Sequence, residues 1–144
     1  MAEYRKPPTH QEFLETTREA FAFLQRFGFV EGPPPAHRAG DRFQVWFRAG
    51  ERSVVVRGGG YGTSARIALE HDDGIELDPF YLVPPEHHAA VVRKPKRRAQ
   101  PGQLEQLRTE AELLEKHGAD FLAGELTRFR ALATPLPPYL GSPS

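Results

Sequence analysis

Between Phe43 and Leu77 the chain alternates apolar and polar residues and is punctuated by three short glycine-bearing turns. That pattern restricts the fold more than any other feature, because side chains two apart on a strand share a face and a slip of one residue turns all of them over. Phe43, Val45 and Phe47 alternate with Gln44, Trp46 and Arg48. With Ala49-Gly50 as a two-residue turn, positions 47/52, 45/54 and 43/56 face each other, which puts Val54 and Val56 beside the phenylalanines. A Gly60-Tyr61 loop pairs 56/65, 54/67 and 52/69 and adds Ala65, Ile67 and Leu69. A three-residue Asp72-Asp73-Gly74 loop pairs 71/75 and 69/77 and adds Ile75 and Leu77. Four strands then share one apolar face. Loops this short exclude parallel crossovers and hence a doubly wound sheet.

Helical signals flank the meander. Thr9-His10-Gln11-Glu12 fits a capping box, and Phe13, Leu14, Thr17, Ala20, Phe21, Phe23, Leu24 and Phe27 occupy one half of the helix that follows. Gly28 is the expected left-handed cap, and Phe29-Val30 begins a short edge strand before Gly32 and the prolines at 33–35. Beyond Pro84-Pro85 a linker of about 86–102 has neither period and is expected to be mobile. Leu104, Leu107, Ala111 and Leu114 restore helical spacing up to Gly118. Asp120 then caps a last helix carrying Phe121, Leu122, Leu126, Phe129 and Leu132, so the C-terminus reads as a helical hairpin with an irregular tail over 135–144. The 144 residues suit one domain, and helices segregated from an antiparallel sheet make it α+β.

Composition removes several chemistries. With no cysteine, thiolate metal sites, disulfides and cysteine nucleophiles are excluded. No apolar run approaches the ~18 residues of a membrane span, and no signal segment is seen, so a cytoplasmic protein is expected. Gly58-Gly59-Gly60-Tyr61-Gly62-Thr63-Ser64 lacks the lysine and the following helix of a phosphate loop, and reads as a hairpin tip. Gly62-Thr63-Ser64-Ala65-Arg66 also lacks the glycine that a nucleophile elbow carries at its fifth position.

Two charged constellations remain. His71, Asp73, His87 and His88 are the one set from which a metal-dependent hydrolase would be built, although adjacent strand residues point to opposite faces and chelate poorly. Arg93-Lys94-Pro95-Lys96-Arg97-Arg98 would suit a nucleic-acid accessory protein. Outside it, 14 basic residues meet 19 acidic ones, so long-range attraction to a polyanion is absent and a solvated loop is the simpler reading. Neither set amounts to a catalytic or metal site, and no cofactor is expected.

The sheet face opposite the phenylalanines is more informative. The assumed registers give the rows Gln44-Val55-Arg66, Trp46-Ser53-Ala68 and Arg48-Glu51-Glu70, with Arg57 at the rim. Trp46, Arg48, Arg57 and Arg66 thus form the expected partner-binding surface, of the composition found in protein-binding hot spots. The alternative is that the C-terminal hairpin covers this face and makes Trp46 core.

Phe23-Leu24-Gln25-Arg26-Phe27-Gly28-Phe29, the Trp-containing meander, and the stretch Leu113-Leu114-Glu115-Lys116-His117-Gly118-Ala119-Asp120-Phe121-Leu122 with its continuation to Phe129 resemble a loose group of small bacterial α+β proteins. Some of these resemble immunity proteins of toxin systems. The resemblance implies stoichiometric binding of a partner protein, such as a toxin, without catalysis. A ratio of fifteen arginines to four lysines also resembles a GC-rich bacterial source.

Overall fold

The N-terminal helix starts where the capping box places it. In a computed structural model describing residues 7–59, 62–90 and 102–136, the Thr9 hydroxyl accepts from the Glu12 amide (3.1 Å) and the Glu12 carboxylate accepts from the Thr9 amide (2.9 Å). Helix α1 runs His10–Ala20 and tightens into a 3₁₀ segment, Ala22–Phe27, that stops at Gly28 with φ +84°. Glycine is the residue that enters this conformation without a Cβ penalty. Strand β1, Val30–Gly32, follows and pairs with β2 as the outermost strand.

Among the described residues the sheet has six antiparallel strands in sequence order, not four. They are β1, β2 (Gln44–Ala49), β3 (Arg52–Gly59), β4 (Ser64–His71), β5 (Ile75–Leu77) and β6 (Thr134–Pro135). The tail was expected to be irregular from 135, yet Pro135 pairs with Ile75. A proline is tolerated there because β6 is an edge strand and one of its sides needs no donor.

Two of the three expected registers are displaced by two residues. Ala49 faces Arg52 and Val45 faces Val56, so the first loop is Gly50-Glu51. Gly50 has φ +61°, and a positive φ at the first loop residue is what primed hairpin turns require. Gly59 faces Ser64, so the second loop spans 60–63. The third register, 71/75 and 69/77, is as expected. A displacement of two leaves facing unchanged. Val45, Val54, Val56, Ala65, Ile67, Leu69 and Leu77 are therefore all buried in one cluster with Phe13, Phe21, Leu107, Leu114, Phe121 and Phe129. Each such Phe or Leu contributes about 1.5–3 kcal/mol of transfer free energy.

Helix α2, Gln103–His117, packs against α1 and β4 over this apolar face. The single last helix expected after it is instead two short ones, α3 (Ala119–Leu122) and α4 (Thr127–Leu132). Gly124 at φ +90° breaks the run, and the Arg52 guanidinium from β3 donates to the carbonyls of Phe121, which also accepts from the Gly124 amide, and Leu122. Asp78 caps a helical turn over Pro79–Leu82 by accepting from the Phe80 amide at 3.0 Å. Within the linker, Pro85–Ala90 forms a second such turn. The rest of the linker, with the basic run 93–98, and the tail beyond 136 lie outside the described residues.

Candidate functional site

On the face opposite the core, the observed rows are Gln44-Arg57-Arg66, Trp46-Val55-Ala68 and Arg48-Ser53-Glu70. Prolines 33–35 carry the chain from β1 across this face, where a turn over Ala36–Arg38 lays Arg38 on the sheet. The Arg38 guanidinium forks onto Glu70, with N–O distances of 2.7 and 3.0 Å, and its Cζ lies 4.6 Å from the centroid of the Trp46 ring. Gln44 completes the group. Its amide donates to the Asp41 carbonyl (2.9 Å), and its side-chain oxygen accepts from the Trp46 indole N–H (2.8 Å).

Trp46 is consequently only 2% exposed and offers no contact surface. It is covered by the Ala36–Arg38 turn, not by the C-terminal helices, which pack on the other face. Of the other expected contact residues, Arg48 donates to Asp72 (2.9 Å) and to the Ser53 hydroxyl (3.1 Å), rather than pairing with Glu51 or Glu70. Arg66 lies 3.9 Å from the Asp78 carboxylate and its side chain remains 60% exposed. Arg57 is half-buried beside it in the same row.

Glu70 also faces Glu76 across β4 and β5. Burial first, and then the Glu70 charge, push the Glu76 carboxyl above its ordinary value, with Arg38 opposing. A polar depression of about 120 Å³ opens here between Arg38, Arg48, Ser53, Glu70, His71 and Asp72.

The four residues considered for a metal centre are not brought together. Buried His71 has Nδ1 2.8 Å from an Asp73 carboxylate oxygen and Nε2 3.5 Å from Glu51. Asp73 is in turn held by Arg130 at 2.6 Å, and that bond, with His71, keeps its carboxyl below the ordinary value. His88 instead meets the Val83 carbonyl (2.7 Å) and packs on the Phe80 ring in a tilted contact with ring centroids 4.5 Å apart. Among the described residues no group of three or more His, Asp or Glu side chains is gathered for a metal ion.

The larger opening lies at the far edge of the sheet. A groove of about 500 Å³ runs between the 3₁₀ segment and β1, with Phe21, Leu24, Phe29 and Phe47 as its floor. Arg18 and Glu31 form its rim, joined by two 2.9 Å hydrogen bonds that lower the Glu31 carboxyl from its ordinary value and raise Arg18. Val30, beside it on β1, is 68% exposed, the most exposed of the large apolar residues among those described. No further strand pairs with the outer side of β1 among the described residues.

Comparison with protein-family models, with curated proteins and with solved structures finds no match for this chain. No helix among the described residues is long and apolar enough to cross a membrane. Function therefore rests on the geometry. The sequence reading passed over Arg38 and the groove, and each had a signal. Glu70 opposite Glu76 leaves two like charges facing across a ladder, which calls for a cation between them. Phe29-Val30 as an edge strand leaves one rim of the sheet unpaired.

Proposed function

We propose that the protein is a non-enzymatic binding module that takes an extended segment of a partner protein along the outer edge of β1, in the stoichiometric manner of an immunity-type protein. The observation that carries this reading is the groove beside an unpaired edge strand. An added strand draws affinity from main-chain hydrogen bonds and specificity from side chains seated in adjoining pockets. β1 is only three residues long, so backbone pairing alone would be weak, and an apolar side chain of the partner set against exposed Ala22 and Val30 at the mouth of the groove supplies the remainder. The Arg18–Glu31 pair at the rim offers one charge of each sign to flanking partner residues, which fixes register more than it adds affinity.

The test is capture from the source cell with wild type and with Val30→Asp, alongside Glu86→Gln, an exposed position on the Pro85–Ala90 turn, as a control outside β1 and the groove. Wild type and the control are expected to retain one protein at equal stoichiometry, with amide-exchange protection appearing at 30–32 in the complex. Val30→Asp, with an unchanged circular dichroism spectrum, is expected to weaken retention at least about tenfold, or ~1.4 kcal/mol. Equal retention by Val30→Asp, or no stoichiometric protein at all, would overturn the reading.

A further inference from the structure

The polar depression of about 120 Å³ on the Trp46 face shares no lining residue with the groove beside β1. Its floor is the row Arg48-Ser53-Glu70, in which buried Ser53 sits between a cation on β2 and an anion on β4. One wall is the chain crossing from Pro35 to Arg38. The other is the loop that carries Asp72 and Gly74, where the Leu136 amide donates to the Gly74 carbonyl at 2.9 Å. Charge is balanced inside it. Arg38 is forked onto Glu70, and Nη2 of Arg48 spans both Asp72 oxygens at 3.1 and 2.9 Å. These pairs leave hydrogen-bonding capacity of both kinds. Glu70 and Asp72 each use two of the roughly four acceptor positions of a carboxylate. The Ser53 hydroxyl accepts from Arg48 at 3.1 Å, while its own proton and the Arg48 Nε–H have no acceptor among the described residues. The Nε–H of Arg38 is a buried donor without a partner, and buried donors are seldom left unmet.

We propose that this depression binds a neutral polyhydroxyl ligand, a short polyol or one edge of a sugar ring, through adjacent hydroxyl groups. The reason lies in what each ligand class can use. A carboxylate accepts but cannot donate, and an ammonium donates but cannot accept. Either would exploit half of what the site offers and would bring its charge against a like charge of the Arg38–Glu70 or Arg48–Asp72 pair. A hydroxyl does both at one atom. Two neighbouring hydroxyls can donate to Glu70 and Asp72 and accept from Ser53 and the arginines while both ion pairs stay closed. Keeping them closed matters most at Arg38 and Glu70, where a broken pair would strand a buried charge. The size agrees. At ~30 Å³ per water the space holds about four, enough for a diol unit with its carbons and too little for a whole sugar ring. A larger ligand would therefore project to solvent past exposed Asp72.

Erythritol is the probe. Its controls are a butanediol with hydroxyls only at its two ends, which keeps the carbon chain and loses the adjacency, and acetate and methylammonium as the two ions. Heteronuclear NMR of the full chain reads the Trp46 indole N–H, at the edge of the depression, and the amides of Ser53, Glu70 and Asp72. Saturable shifts at these positions are expected with erythritol, with each control binding at least several-fold more weakly. Ser53→Ala and Asp72→Asn should each weaken erythritol binding several-fold with an unchanged circular dichroism spectrum, and Glu86→Gln should not change it. Asp72 is exposed, so Asp72→Asn keeps the test decisive if Ser53→Ala loosens the sheet. Shifts that do not saturate, an equal response to the butanediol, tighter binding of acetate or methylammonium, or unchanged affinity in Asp72→Asn would overturn the proposal. The methyl glycoside of a pyranose, compared with erythritol, then distinguishes the end of a glycan from a free polyol as the source of the same hydroxyls.

Discussion

Arg38 lies between Glu70 and Trp46, with its guanidinium forked onto the carboxylate at 2.7 and 3.0 Å and its Cζ 4.6 Å from the indole centroid. Both charged side chains are almost wholly buried, at 4% and 7% exposure. Removing one partner of such a pair strands the other charge. Arg38→Met should therefore cost about 3–5 kcal/mol, whereas Arg38→Met with Glu70→Leu should cost much less. Urea denaturation followed by the emission of the single tryptophan measures both, and Trp46 should become accessible to a quencher in the single variant.

The Glu76 carboxyl is shifted in the opposite sense from those of Glu31 and Asp73. Its folded value is raised above 4.5, so the native state holds the proton more firmly than the unfolded chain, and stability is gained as pH falls from the raised value toward the ordinary one. Ionised at neutral pH, it opposes Glu70. Glu76→Gln is expected to stabilise the protein by about 0.2–1 kcal/mol at neutral pH, with the gain shrinking in mildly acidic buffer. A variant less stable than wild type at neutral pH would contradict this account.

Asp73 is the reverse case. The Arg130 hydrogen bond lowers its carboxyl below 3.8, so its contribution is present above that value and is lost as pH falls through the lowered one. Asp73 and Arg130 are both substantially exposed, at 41% and 48%, so the effect is small and screened. Arg130→Gln should flatten the acid limb of a stability–pH curve at low salt, and the difference should largely vanish at about 1 M salt.

Gly58 has no room for a side chain. An added Cβ would clash with the Gln103 amide nitrogen and lie 3.2 Å from the Phe13 ring. Gln103 is 1% exposed and donates to the Ser64 carbonyl at 2.9 Å, so it cannot swing away without losing that bond. Gly58→Ala should cost about 1–3 kcal/mol. With Gln103→Ala it should cost less than the sum of the two, a coupling that a double-mutant cycle in urea measures.

The sequence was informative where local chemistry had one solution. Thr9 and Glu12 form a reciprocal cap within four residues, and Asp72-Asp73-Gly74 places its glycine at the position that needs φ +90°. The other two hairpins were set by alternation, and a period of two cannot distinguish a register from one displaced by two. Facing was thus legible for Val45, Val54, Val56 and Ile67 while their partners were not. Trp46 was misplaced for a different reason. The segment that covers it, 33–42, is proline-rich and aperiodic, and its decisive residue, Arg38, is a cation that burial statistics assign to the surface. The apolar spacing of Phe121, Leu122, Leu126 and Phe129 continues through Gly124, so nothing in it marked the break between α3 and α4. At the groove, the edge strand was foreseen, but the volume beside it depends on how far the Ala22–Phe27 segment stands from β1, which no local pattern encodes.

The displaced hairpins have a bearing on how this chain tolerates length changes. Because facing survives a shift of two, a pair of residues added at Gly50-Glu51 can be absorbed as a longer tip with every downstream side chain still turned the same way. A single added residue cannot be absorbed within the ladder, since it would exchange Val54 and Val56 for Val55 and Arg57 at the helices. Reporter epitopes grafted at this tip, and drift among descendants of this sequence, should therefore favour even increments.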